Sequence, residues 1–131
     1  DMSRILAHEL QHAVEHYYQK FSGALSDKEK DKSKKWSDSA EQKMTQQGQE
    51  PLRLTRYYNE PTEVRARLVE TLLHYGLPSS QLDLREKMLN SNTYASYQDM
   101  ISAAISPDIL EQLSKEAIDY MVKELYKAIW D

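Results

Sequence analysis

The segment His8-Glu9-Leu10-Gln11-His12 sets two imidazoles four residues apart, with a carboxylate directly beside the first. On an α-helix, positions i and i+4 project from the same side one turn apart, so both rings can reach a single ion. The chain contains no cysteine, which leaves imidazole and carboxylate as its ligands for a transition metal. Zinc held by three protein ligands and one water lowers that water's pKa to about 7. Glu9 is then placed to take the proton from the water and return it to a leaving amine, acting first as general base and then as general acid. These residues lead to the expectation of a Zn2+-dependent endopeptidase with a protein or peptide substrate, in which His8 and His12 are ligands and Glu9 is catalytic.

A third ligand decides the subclass. The extended three-histidine motif of metzincins requires Gly and His at positions 15 and 18, where this chain has Glu15 and Tyr18, so that pattern is excluded. His16 comes two turns after His8 and about 80° round the helix from it, which suits a supporting or surface role better than ligation of the same ion. Glu63 shares one stripe of a helix with Arg67, Glu70 and His74, opposite Val64, Leu68 and Leu72. Arg67, one turn on, can steady a ligating Glu63, although an ordinary ion pair on a solvated face would have the same spacing. Tyr57, Tyr58, His16 and His74 are candidates to stabilise an oxyanion, with Tyr58 preferred.

The segments carrying His8-Glu9-Leu10-Gln11-His12-Ala13 and Tyr57-x-x-x-Pro61-x-Glu63-Val64-x-Ala66-Arg67 together resemble zincin metallopeptidases of the gluzincin type. In that family a Glu on a downstream helix completes the site. The pair is similar in particular to short domains of that kind, many of them phage-borne or carried by mobile elements. The resemblance implies that Glu63 is the third ligand, with Glu60 the runner-up. Thermolysin-like members place an Asp four residues after the ligand Glu, and this chain has Arg67 there.

The elements that must position these residues read as helices. Leu6, Leu10, Ala13, Tyr17 and Phe21 form an apolar stripe over residues 2–21, with Gly23 as a stop. Residues 26–50 are rich in interleaved lysines and acids and read as a charged, solvated insertion, in which Trp36, Ala40 and Met44 could rest one thin edge of a short helix on the body. Pro51 to Tyr58 is expected to be extended or irregular. A helix capped at Asn59 or Glu60, with Pro61 in its first turn, runs to Tyr75 and is closed by Gly76 and Pro78. Further helices are expected from Ser80 to about Leu89, from Tyr97 to Ile105, and from Ser106-Pro107-Asp108 through Leu113, Ala117, Met121 and Leu125 to Trp130.

The 131 residues fit one metallopeptidase-like domain with 40% hydrophobic residues. Three glycines and four prolines are few for a fold of many tight turns, so the expectation is a mainly α, zincin-like helical core whose motif helix packs on the Glu-bearing helix. The sheet that usually precedes such a helix is expected to be missing or minimal, as if the domain were excised from a larger polypeptide. A net charge of -4 argues against nucleic acid as a partner, and no apolar run is long enough for a membrane span. A soluble chain is expected, its compartment left open with the cytoplasm and a virion among the options, and other domains of a larger protein are candidate further partners. The alternative is a noncatalytic helical module that binds a partner and carries a structural or vestigial zinc site.

Overall fold

The computed structural model describes His8, residues 27–90 and residues 96–131, and every regular element among them is helical. The helices are α1 (Asp27–Gln46), α2 (Thr55–Tyr58), α3 (Pro61–His74), α4 (Gln81–Asn90), α5 (Tyr97–Ala104), α6 (Pro107–Gln112) and α7 (Lys115–Trp130). The mainly α architecture follows from the sparse glycine and proline, and no strand occurs among the described residues. The expected motif helix over residues 2–21 lies outside them except at His8, whose backbone is helical. None of the described helices is long and apolar enough to cross a membrane.

The core is built on α7. Ala117, Met121, Leu125 and Ile129 repeat every four residues and are completely buried, which gives the helix one continuous apolar face. α1, α3, α4 and α5 all pack against it. Its last carbonyls are held from α4, where Gln81 Nε2 donates to Ala128 O at 3.1 Å and Arg85 Nε donates to Ile129 O, so groups that an α-helix leaves without internal partners are satisfied.

Three sequence expectations need correction. Residues 27–46 form a single 20-residue helix rather than a solvated insertion with a short helical edge. Trp36, Ala40 and Met44 do supply its apolar edge, and all three are buried. The many charges mislead because long helices carry alternating charge on their solvent face at little cost, while a narrow stripe is enough to dock them. Lys32 even lies over the Trp36 ring, 5.7 Å from its centroid.

The last helix expected from Ser106 to Trp130 is in fact two, α6 and α7, broken at Leu113 and Ser114. Ser114 Oγ accepts from Ala117 N at 3.0 Å and caps α7. The break is also gripped from outside: fully buried Asn59 accepts from Ser114 N at 2.7 Å and donates to Gln112 O and to Thr55 O, each at 2.8 Å. A backbone that leaves the helix here loses internal hydrogen bonds, and Asn59 replaces them.

The segment expected to be irregular contains the one-turn helix α2, and Glu60 occupies the N-cap of α3 without a side-chain cap. At the other end of α3, Gly76 has φ +71° and Leu77 N bonds to Leu72 O at 3.0 Å, the left-handed closure that glycine favours.

If α1 is integral to the core, Trp36→Ala should lower the unfolding free energy by about 3–5 kcal/mol. Urea denaturation followed by circular dichroism would measure this. A loss near zero would mean that residues 27–46 contribute nothing to the core.

Candidate functional site

α3 starts at Pro61, whose missing N–H costs nothing at a helix N-terminus, and its register turns Val64 and Leu68 into the core. Glu63 is one position before Val64 and is also fully buried, at 0% exposure. A carboxylate removed from water is costly unless other groups compensate it, so its surroundings show what the site is built to hold.

Among the described residues, three groups converge on it. His8 Nε2 lies 3.2 Å from Glu63 Oε1, and Arg67 Nη2 reaches the same oxygen at 3.2 Å. Tyr57, on α2, interacts electrostatically with Glu63. Removal of the Tyr57 phenol from water, together with this interaction and the repulsion a phenolate would meet there, pushes its pKa up to about 12. The residue keeps 43% of its surface exposed.

Glu70 extends the cluster by two turns. Its Oε1 lies 2.6 Å from His8 Nδ1, and its Oε2 lies 3.4 Å from Arg67 Nη1. His8, itself only 7% exposed, therefore sits against two carboxylates of one helix, with Arg67 between them.

The structure thus brings together His8, Glu63 and Arg67 from the residues expected on sequence grounds. Glu60 stays exposed at the helix start. His74 is exposed at the opposite end of α3, in edge contact with Tyr75 at 4.9 Å between centroids. Tyr58 packs against the core and lines a cavity of about 510 Å³ with Leu52, Arg53, Leu54 and Gln112. Of the two neighbouring tyrosines, it is Tyr57 that interacts with Glu63. Glu9, His12 and His16 lie outside the described residues.

Sequence reasoning gave no role to Glu70 beyond its place on the stripe. Its signal was the spacing of seven from Glu63, which returns to nearly the same helix face after two turns. Asn59 was read only as a possible helix cap, because nothing in the sequence announces a contact with a break more than fifty residues away.

Whether the donors suit zinc can be tested on their separation. Bonds of about 2.0–2.1 Å to a tetrahedral ion place neighbouring donor atoms about 3.3–3.4 Å apart, and His8 Nε2 and Glu63 Oε1 stand 3.2 Å apart. The nitrogen and oxygen donors suit zinc, and the spacing is that of a direct ion pair as much as of two ligands on one ion. Among the described residues no group of three or more His, Asp or Glu side chains surrounds a common point for a metal; the expected third member, His12, is not one of those residues. Compared with protein-family models, with curated proteins and with solved structures, the chain has no match in any.

The raised pKa of Tyr57 gives a direct check. The folded state favours the neutral phenol, so this contribution to stability is complete below the ordinary value of 10.0 and is lost as pH rises through about 12. Ultraviolet titration at 295 nm should show a tyrosine ionising near that value in the wild type and missing from Tyr57→Phe. An unchanged titration curve in the variant would refute the assignment.

Proposed function

We propose that this chain is a zinc-dependent endopeptidase domain of the gluzincin kind, in which His8, His12 and Glu63 hold the ion and Glu9 is the general base. The observation that carries this reading is the burial of Glu63 with its oxygen 3.2 Å from His8 Nε2. It pairs the first histidine of the motif with the carboxylate that the resemblance names as third ligand.

Zinc, when bound, supplies a Lewis acid that polarises the scissile carbonyl and acidifies water. The remaining work falls to the chain's own residues. Glu9 takes the proton of the attacking water and delivers it to the departing amine. Arg67 holds the Glu63 carboxylate in place at 3.2 Å. Tyr57, which interacts with Glu63 and whose phenol stays protonated well above neutral pH, joins Tyr58 as a candidate donor to the negative charge that develops on the carbonyl oxygen. Tyr58, the donor preferred on sequence grounds, packs against the core and lines the cavity.

A second reading, a noncatalytic helical module with a structural or vestigial zinc site, is favoured by one contact. The Arg67 guanidinium compensates Glu63 without any ion, so the cluster can also serve as a staple between the segment bearing His8 and α3.

The two readings part on Glu9. Purified protein should contain close to one zinc per chain by metal analysis. Glu9→Gln should keep that zinc and lose roughly 10²–10⁴-fold in cleavage of a broad peptide library. Zinc-loaded wild type that cuts nothing in such a library, or in any copurifying partner, would favour the staple, and a zinc-free wild type of equal stability would defeat the peptidase reading and leave only an ion-free staple. Glu63→Ala should weaken zinc binding far more than Glu60→Ala. The reverse order would move the third ligand to Glu60.

A further inference from the structure

We propose that the cavity lined by Leu52, Leu54 and Tyr58 is a docking site for a peptide segment of a partner protein, one that sets an acidic residue beside a large apolar one. The inference goes beyond the zinc reading and stands without any metal. It starts from where apolar surface is left in solvent. Leu52 and Leu54, which line the cavity, are 58% and 46% exposed, and Tyr57 nearby is 43% exposed. Single exposed leucines are ordinary, whereas a group of them around a hollow marks a place of contact.

The hollow is shaped by a pinned turn. Fully buried Thr55 donates from its N to Leu52 O at 3.1 Å, while its Oγ1 accepts from Leu52 N at 3.0 Å and donates to Gln112 Oε1 at 2.8 Å. Tyr58 N adds a bond to Leu54 O at 3.0 Å. Leucines on a turn already fixed lose little freedom when a partner covers them, so more of the burial is expressed as affinity. The volume of about 510 Å³ is that of a ligand pocket. On its floor, Gln112 spends its amide on Thr55 and on Asp108 O at 3.1 Å, and Tyr58 rests against the core. The floor therefore calls for an apolar side chain.

The rim adds a charge. Arg53 is exposed and is the charged residue among those lining the cavity. Among the described residues no ion pair holds it, whereas Arg56 pairs with Asp38 and Glu41, and Lys43 donates to Leu113 O. A guanidinium matches a carboxylate with two parallel hydrogen bonds. The chain as a whole carries a net charge of -4, so an acidic partner is drawn by this local charge and not by the general field. Arg53 stands between Leu52 and Leu54 in the chain. Charge and apolar surface thus alternate along the rim as they do along a peptide, whereas a fatty acid keeps its carboxylate at one end of its chain.

The test uses the full 131-residue chain, freed of metal by a chelator, and a phage-displayed library of random heptapeptides. Selected peptides should carry Asp or Glu next to Leu, Met or Phe. The tightest of them, made with a fluorescent label, is titrated by polarisation against the wild type, Arg53→Glu, Leu54→Asp and the control Leu82→Asp, which alters an exposed leucine on α4. Arg53→Glu should weaken binding by roughly 10–100-fold and should bind the same peptide better than the wild type does once its acid is replaced by lysine. Leu54→Asp should weaken both peptides, and Leu82→Asp should change nothing. All three positions are exposed, and circular dichroism checks that the variants fold. A library that enriches no sequence, enriched sequences without an acid, or equal affinity in the wild type, Arg53→Glu and Leu54→Asp would each overturn the proposal. Zinc content and the Glu9→Gln cleavage assay are read separately, so the peptidase reading stands or falls on its own.

Discussion

A carboxylate out of reach of water needs other dipoles and charges in water's place, and Glu63 is such a group. That requirement organises its surroundings on three sides. Arg67 comes from the same helix, one turn on, and its position is fixed as soon as α3 forms. Tyr57 comes from α2 and needs the loop between the two helices to fold in one way. His8 comes from a remote part of the chain and needs tertiary docking. Local, medium-range and long-range structure thus meet at one side chain.

The middle condition is met by a buried polar network. Asn59 lies between α2 and α3 and ties both to the break between α6 and α7, while Thr55 Oγ1 hydrogen-bonds to Gln112 Oε1 at 2.8 Å. α2 is a single turn, too short to be stable alone. It is held by this network on its inner side and on its outer side by Arg56, which pairs with Asp38 at 3.2 Å and with Glu41 of α1. The charged helix α1, which looked peripheral, is therefore one wall of the frame that presents Tyr57.

Periodicity and end signals made most helices legible. Val64 and Leu68 marked the buried face of α3, Gly76 its end, and Ala117, Met121 and Leu125 the seam of α7. The split at Ser114 was hidden because the apolar spacing continues across it, and its cause is a side chain far away in sequence. The docking of α1 was masked by lysines that outnumber its apolar residues. At the site, the motif spacing pointed to His8 and the helix stripe to Glu63 and Arg67. Which of two adjacent tyrosines interacts with the carboxylate depends on a turn whose course no pattern encodes, and the part played by Glu70 depends on where an imidazole from outside its helix comes to rest.

The carboxylates that contact His8 both belong to α3, along with the arginine between them. Many enzymes split such partners between two lobes, and hinge motion then alters the site by changing the distance between them. Here the partners are rungs of one rigid rod with no joint between them. A change at this site therefore has to come from movement of the imidazole relative to α3, since the two carboxylates keep their spacing on one helix.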